Sequence, residues 1–304
     1  MKLGFLTAPF PDTPLNEVAD WAAGNGFEIL EIACWPRASG PTRRYAGTSH
    51  IDVADLSESR ATEIREEVES KGLGISGLGF YPNPMHPDRE TREGAIAHMK
   101  LVIEACAKMG VPYFNTFMGG DPKLHVDANW ERALEIWPEI VDHANEHGVK
   151  VTIENCPMIF SYDEWPAGNN IAWSPYVWRR IIETWGDTIG LNYDPSHLVW
   201  LMIDQERFIR EFGPSIWHVQ AKDVQINRDG LYERGTLSGG MGWQIPRLPG
   251  LGDADWPTIF AALYRAGYDG AVAIEHEDRD FEKTDELIKR GFLIARDVLR
   301  PYIK

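Results

Sequence analysis

The sequence predicts an α/β chain folded as a (β/α)8 barrel, and three observations support this. Short apolar runs alternate with amphipathic stretches eight times along the chain. Such alternation implies a parallel sheet with right-handed crossovers, and eight units without a break favour a closed barrel over an open sheet. No GxGxxG motif follows the first run, which disfavours a dinucleotide-binding fold. The length of 304 residues suits one barrel with loop insertions, so we expect a single domain over residues 1–304.

The apolar runs have the composition of β-strands. They are short, rich in Val, Ile, Phe and Tyr, and separated by amphipathic stretches. The predicted strands cover residues 2–8, 27–33, 73–80, 113–118, 149–155, 188–194, 216–222 and 271–277.

The amphipathic stretches have the period of α-helices. Apolar side chains recur every three or four positions in 88–109, 128–147 and 283–299, which predicts a buried stripe on each helix. Three predicted helices end just before a glycine, which can take the left-handed conformation at a helix C-terminus. These glycines are Gly72, Gly110 and Gly148.

The segments that follow strands are much longer than those that follow helices. The longest are 34–56, 156–174 and 223–254. In a barrel all of them gather at the C-terminal mouth, where active sites are found. The glycine-rich part of the last, 235–252, lacks the GK[ST] ending of a phosphate loop, and we interpret it as a lid.

Composition restricts the classes of partner. The net charge of −16 repels phosphate backbones, so we expect no nucleic acid partner. The sequence contains no window of about eighteen consecutive apolar residues, so we expect no membrane span. The three cysteines form no CxxC pair, and the first residues do not resemble a signal peptide. We therefore expect reduced thiols and a cytoplasmic protein.

Four metal-binding side chains lie at or near the ends of the last four predicted strands. They are Glu154, Asp194, His218 and Glu275. In VTIE, LNYD and AVAIE the apolar side chains alternate with polar ones, which then point into the barrel. A carboxylate pointing inward is costly unless it is paired or bound to a metal.

These four side chains could close around one divalent ion. Three carboxylates and one imidazole suit Mn²⁺, Mg²⁺, Co²⁺ or Zn²⁺ and do not choose between them. Taken singly, Glu154 could be a salt-bridged carboxylate, Asp194 a helix cap and His218 a hydrogen-bonded core residue. Their occurrence on consecutive strands favours the metal site.

The motifs VTIEN, NYDPSH, HVQAKD, PGLGDADW and IEHE resemble those of the sugar phosphate isomerase/epimerase family, the xylose-isomerase-like barrels. The resemblance covers essentially the whole chain. It implies one bound divalent metal, with Mn²⁺ the first expectation, held by the four side chains above. It also implies that Glu154 and Glu275 are the catalytic acid and base, and that His197 contacts substrate oxygens.

The HVxxKD pattern is nearer the inosose-dehydratase-like and hydroxypyruvate-isomerase-like branches of that family than the ketose 3-epimerases. The 3-epimerases tend to carry an Arg about six residues after the strand-seven His, where this chain has Val224. Here Lys222 shares a strand face with His218 and is a candidate substrate-binding residue. The alternative is a salt bridge from Lys222 to Asp223 or another carboxylate at the rim.

Three further residues are candidates for substrate contact, each with a structural alternative. His86 could be a solvated loop residue, Trp243 could pack under a loop, and Arg247 could order the loop after the seventh strand. His276 should point away from the barrel interior, so we exclude it as a ligand.

The first functional hypothesis is a metal-dependent isomerase or epimerase of a small, unphosphorylated sugar or keto-sugar that works through an enediolate. The second is a lyase or dehydratase that shares the first proton abstraction and then eliminates a β-substituent. A nuclease on the same fold is disfavoured by the net charge of −16. The acid–base pair that the resemblance implies counts against a non-catalytic sugar sensor, whereas a partner-dependent subunit and a homo-oligomer stay open.

Overall fold

The computed structural model describes residues 1–36, 46–164 and 167–303. Eight parallel strands close into a barrel in the order β1-β10-β7-β6-β5-β4-β3-β2, which confirms the predicted fold. The barrel strands are β1 (Lys2–Leu6), β2 (Ile29–Ala33), β3 (Gly74–Gly79), β4 (Tyr113–Thr116), β5 (Lys150–Glu154), β6 (Ile189–Tyr193), β7 (Ile216–Ala221) and β10 (Ala271–Ile274). Each lies within one of the predicted runs.

The helices surround the barrel. They are α1 (Leu15–Gly24), α2 (Glu58–Ser70), α3 (Arg89–Met109), α4 (Val126–Glu146), α5 (Pro175–Trp185), α6 (Pro195–Trp200), α7 (Gln205–Phe212), α8 (Arg228–Arg234), α9 (Trp256–Arg265) and α10 (Asp285–Leu299). Within the described ranges, none of these helices combines the length and the apolar character needed to span a bilayer.

The ends of the helices follow from local side-chain chemistry. Ser57, Asp88 and Asp204 each accept a hydrogen bond from a backbone N–H of the first turn that they cap. The three glycines predicted to stop helices have positive φ angles, between 65° and 79°. A left-handed residue at this position ends the helix and turns the chain toward the next strand.

The two faces of the strands bury different side chains. Val151 and Ile153 face the helices and belong to the main hydrophobic core. The interior of the barrel is polar: the Thr152 hydroxyl donates to Asn115 Oδ1 at 2.7 Å, and both side chains are fully buried. The alternation of strand side chains therefore places polar groups in a column that leads up to the mouth.

The segment 223–254 is more ordered than a simple lid. Strands β8 (Asp223–Ile226) and β9 (Gln244–Arg247) form an antiparallel hairpin outside the barrel, with α8 between them. The other two long segments, 34–56 and 156–174, include residues 37–45 and 165–166, which lie outside the described residues.

Strands β1 and β2 approach each other closely at Gly4. A Cβ at this position would lie 1.8 Å from the backbone oxygen of Ile29 on the neighbouring strand. We expect Gly4→Ala to lower the free energy of unfolding by about 1–3 kcal/mol, because the backbone of β2 would have to shift to make room for the added methyl group. Urea denaturation measures this change. The control is Gly24→Ala in α1, where no atom lies within 4 Å of the added Cβ. Equal stability of the two variants would contradict this close approach of β1 and β2.

Candidate metal centre and substrate cavity

Three carboxylates meet at the C-terminal mouth of the barrel. Glu154 is the last residue of β5, while Asp194 and Glu275 directly follow β6 and β10. One oxygen from each carboxylate lies within 4.8 Å of the other two. The predicted convergence of strand ends therefore brings these three side chains together.

The backbone around Asp194 is held by reciprocal hydrogen bonds. Asn155 accepts from the Asp194 backbone N–H and donates to its carbonyl oxygen, both at 2.8 Å. Asp194 Oδ1 accepts from the Ser196 N–H at 2.8 Å and so caps α6. The other oxygen, Oδ2, lies beside His197 and Lys222. The helix-cap and metal-ligand interpretations of Asp194 are thus compatible.

Lys222 lies inside this cluster. Its Nζ is 2.9 Å from Asp194 Oδ2, 2.8 Å from Glu275 Oε2 and 3.3 Å from Glu277 Oε2. Burial alone would lower the pKa of Lys222, but Asp194, Glu275 and Glu277 outweigh it and hold the pKa well above its usual value. The structure thus places Lys222 in the pocket. It also shows the alternative stated for Lys222, ion pairs with rim carboxylates, which are Asp194, Glu275 and Glu277.

His197 lies beside the same carboxylates. Its Nε2 is 3.1 Å from Asp194 Oδ2 and 3.3 Å from Glu154 Oε1. Its Nδ1 accepts a hydrogen bond from Trp200 Nε1 at 3.3 Å, so the ring proton resides on Nε2. His197 therefore presents an N–H to the carboxylates.

The carboxylates differ in proton affinity. Burial raises the pKa of Glu154, and His197 and Lys222 offset only part of this. Burial also raises the pKa of Glu275 well above normal, and repulsion from Glu154 adds to the effect. For Asp194 the charges of Lys222 and His197 outweigh burial, and the pKa lies below its usual value. Two carboxyls are thus suited to proton exchange, and the third stays ionised.

His218 is the predicted ligand that the structure does not bring into the cluster. Its Nδ1 lies 2.9 Å from Asn192 Oδ1 and its Nε2 lies 3.1 Å from Ser76 Oγ. The residue is fully buried, and burial lowers its pKa to about 3. His218 pairs with Asn192, which precedes Asp194 by two residues, so it sits too deep in the barrel. The geometry supports the alternative of a hydrogen-bonded core residue.

A cavity of about 940 Å³ opens above the carboxylates. Its floor is charged, with Glu154, His197, Lys222 and Glu275 exposed to it. Its walls carry aromatic side chains from several strand-following segments. These are Trp35, Tyr81, Phe117, Phe160, Tyr162 and Trp200. A polar floor under aromatic walls is typical of a site for a small polar molecule with apolar C–H faces.

The other three candidates for substrate contact do not line this cavity. Arg247 Nη1 pairs with Asp278 at 3.1 Å and with Asp280 at 2.6 Å. The buried Trp243 donates to Ser238 at 2.8 Å and packs against Trp200. These two contacts match the loop-ordering and packing alternatives stated above.

His86 is held in a turn of the loop after β3. Its Nδ1 accepts a hydrogen bond from the Asp88 N–H at 3.1 Å. His276 lies on the opposite face of β10 from the cavity and contacts Phe292 of α10, as its predicted outward direction requires.

Sequence reasoning missed two parts of the site. Glu277 contacts Lys222, and its position two residues after Glu275 could have indicated that they share a face. A deeper polar layer also escaped notice: the buried Gln220 Nε2 donates to Tyr81 Oη at 2.6 Å and to Glu31 Oε2 at 3.1 Å. Glu31 lies inside a predicted strand, and a carboxylate that points into the barrel there could have indicated this polar layer.

The chemistry of this cluster fits a divalent cation. Four carboxyl groups, counting Glu277, surround one ammonium and one imidazole, so the cluster offers more oxygen donors than cationic partners. Glu154 Oε1 is buried and makes no hydrogen bond to the part of the chain that the structure describes. Hard oxygen donors are the usual ligands of Mg²⁺, Mn²⁺ and related ions. In this structure Lys222 Nζ lies between two of these oxygen donors, Asp194 Oδ2 and Glu275 Oε2.

Comparison with known proteins gives a family match over residues 19–298, to the family described as xylose isomerase-like TIM barrel. The uncharacterized protein YfiH of Bacillus subtilis is 26% identical, covering 91% of this chain and 93% of that protein. An inosose dehydratase of Geobacillus thermodenitrificans is 25% identical over 70% of this chain and 72% of its own length. A putative hydroxypyruvate isomerase of Streptomyces coelicolor is 25% identical, covering 90% of both.

Solved structures share the fold. The structure of the IOLI protein with a zinc atom has a TM-score of 0.72 and 18% identity, and covers all of both chains. A D-psicose 3-epimerase of Clostridium cellulolyticum H10 with D-tagatose has a TM-score of 0.68 and 19% identity, again over the full length of both chains. The predicted resemblance to the inosose-dehydratase and hydroxypyruvate-isomerase branches is confirmed by the sequence relatives.

The position of His218 makes a prediction about stability. His218→Ala removes the partner of Asn192 and Ser76 inside the barrel, so we expect the free energy of unfolding to fall by about 1–3 kcal/mol. The control is His125→Ala, because His125 is exposed and makes no side-chain cap bond. Urea denaturation measures both. A loss for His218→Ala within about 0.5 kcal/mol of the control would contradict a core role.

Proposed function

We propose a function for this chain, which belongs to the xylose isomerase-like TIM barrel family. It is a divalent-metal-dependent isomerase or epimerase of a small keto-sugar. The observation that carries the proposal is the convergence of Glu154, Asp194 and Glu275 beneath a cavity of about 940 Å³. That volume suits one small sugar. The sequence offers no phosphate-binding motif, so we propose an unphosphorylated substrate.

Glu154, Asp194 and Glu275 are the residues that would hold the ion. Mn²⁺ is our first choice, and the zinc atom in the IOLI structure supports a divalent ion in a barrel of this fold. A divalent ion bound here would supply Lewis acidity toward a carbonyl and a neighbouring hydroxyl oxygen of the sugar. Lys222 Nζ lies between two of the three ligands, so loading would require it to move toward Glu277, 3.3 Å away.

Glu154 and Glu275 are the residues that we assign to proton transfer. They lie at the ends of different strands, so a substrate placed between them would present opposite faces to the two carboxylates. One carboxylate accepts the proton from the carbon beside the carbonyl, and the other returns a proton from the opposite side. Their raised pKa values favour this exchange, since each can hold the proton between steps.

The remaining cavity residues would bind and orient the sugar. His197 presents its Nε2–H to the floor of the cavity and can donate to a substrate hydroxyl. The rings of Trp35, Tyr81 and Trp200 line the walls, where they can cover the apolar C–H faces of the sugar. Their burial of the substrate would also exclude water from the carbon that loses its proton.

A dehydratase is the second candidate, and the similarity to an inosose dehydratase favours it. It shares the first proton abstraction. The second step would be loss of a β-hydroxyl, for which an acid is needed near the leaving oxygen. Glu275 could supply that proton, because burial holds the pKa of its carboxyl well above the usual value.

The proposed site predicts metal binding that depends on Asp194. We expect about one Mn²⁺ or Zn²⁺ per chain in the barrel site, and a loss of that ion in Asp194→Asn because an amide is a weak ligand. Asp204→Asn is the matched control: Asp204 also caps a helix, through the Arg207 N–H, but lies outside the cavity. Elemental analysis after dialysis against each metal measures both. Equal metal content in Asp194→Asn and Asp204→Asn would overturn the ligand assignment.

The proposed chemistry predicts solvent exchange. Incubation with keto-sugars in D2O should place deuterium on the carbon beside the carbonyl, and Glu275→Gln should slow this by about 10²–10⁴-fold because it removes the proton carrier. Glu286→Gln, an exposed substitution in α10, serves as the control.

The mass of the product separates the two candidate reactions. An isomerase or epimerase conserves the mass of the sugar apart from the deuterium, whereas a dehydratase loses water. Exchange at the same rate in Glu275→Gln and Glu286→Gln would contradict the assignment of Glu275, whichever product forms.

A further inference from the structure

A second group of metal-binding side chains lies on the outer helices, away from the cavity. Glu104 belongs to α3, His143 lies in the last turn of α4, and His147 caps the C-terminus of α4. One ligand atom from each lies within 4.8 Å of the other two, and all three residues are half-buried. We propose that these residues bind a Zn²⁺ ion that joins α3 to α4. The proposal is independent of the reaction assigned to the barrel.

The two histidines have the spacing that a helix needs to chelate one ion. Residues four apart lie on the same face, one turn above the other. The rings of His143 and His147 have centroids 4.4 Å apart. Glu104 comes from the neighbouring helix, so an ion bound by all three would add a second cross-link between two helices that the Lys100–Glu139 ion pair already joins.

His147 is already oriented as a metal ligand. Its Nδ1 lies 2.9 Å from the backbone oxygen of His143, so Nδ1 carries the proton and donates it to that carbonyl. A metal-binding histidine usually donates its second ring N–H in this way, which fixes the tautomer and the direction of the ring. The lone pair of His147 is therefore on Nε2.

The distance between the other two ligands matches a zinc site. His143 Nε2 lies 3.4 Å from Glu104 Oε1. Two ligands of one tetrahedral Zn²⁺ lie about 3.3 Å apart when each is about 2.0 Å from the ion. His143 Nε2 is buried and makes no hydrogen bond to any residue in the described ranges. Two imidazoles and one carboxylate are ligands that Zn²⁺ accepts readily, with water as the fourth.

The location points to a structural role. Glu104, His143 and His147 lie toward the C-terminal ends of their helices, which in a barrel lie at the end opposite the mouth. Strand β5, which ends in Glu154, begins at Lys150, three residues after His147. A zinc ion here would fix the turn that enters this strand and would add stability by binding only the folded chain.

The test measures Zn²⁺ binding in the Asp194→Asn protein, where the barrel site is weakened. Isothermal titration should give about one tight Zn²⁺ per chain, and the affinity should fall at least about tenfold in His147→Ala and Glu104→Gln. His125→Ala is the matched control, because His125 is an exposed histidine at the start of the same helix. Added Zn²⁺ should raise the midpoint of thermal unfolding of the control and not of His147→Ala.

Co²⁺ gives a second readout that does not depend on stability. Tetrahedral Co²⁺ absorbs strongly in visible light, and this absorption should be present in the control and absent in Glu104→Gln, which preserves the shape of the side chain. Binding of Zn²⁺ that is equal in the control and both variants would overturn the proposal. The proposal would also be overturned if Asp194→Asn bound no Zn²⁺ in the titration. Glu104 and His143 would then form an ion pair and no metal site. Neither result would bear on the metal content of the barrel site in the wild type.

Discussion

The concentration of buried negative charge at the barrel mouth is the constraint on which the site depends. Several carboxylates leave water there, and such burial is costly unless each charge has a partner. Lys222 provides the main one, with Nζ 2.9 Å from Asp194 and 2.8 Å from Glu275. Removing one partner of a buried ion pair costs about 3–5 kcal/mol. The ends of β6, β7 and β10 are therefore held in register by charge as well as by the sheet.

The residue after Lys222 connects this floor to the wall of the cavity. Asp223 faces away from the carboxylates and accepts hydrogen bonds from Gly250 N, Ala254 N and Trp256 Nε1, each at 2.9 Å. The returning chain passes so close that a Cβ on Gly252 would lie 2.3 Å from Asp223 Oδ1. Successive residues of one motif thus hold the charged floor and the β8–β9 hairpin, which fixes the cavity wall above the reacting groups.

The fold and the meeting of Glu154, Asp194 and Glu275 could be predicted because both depend on simple periods. Alternation along strands sets which face a side chain takes, and the parallel barrel sets where strands end. The depth of a side chain below the barrel mouth could not be predicted from these periods. His218 and Lys222 share a face of β7, yet His218 pairs with Asn192 in a deeper layer, beside an irregularity in the β6–β7 register. For Arg247 the sequence left substrate contact and loop ordering open, and its pair with Asp278, which depends on the path of the hairpin, matches loop ordering.

Anomalous diffraction from crystals soaked in Mn²⁺ tests the central claim most directly, because it locates the ion without reference to activity. The account predicts a peak within coordination distance of Glu154, Asp194 and Glu275, with Lys222 Nζ displaced toward Glu277. It also predicts that His218 keeps its contacts with Asn192 and Ser76. A peak bound by His218, or Lys222 still paired with Asp194 and Glu275 and no peak between the carboxylates, would contradict the account.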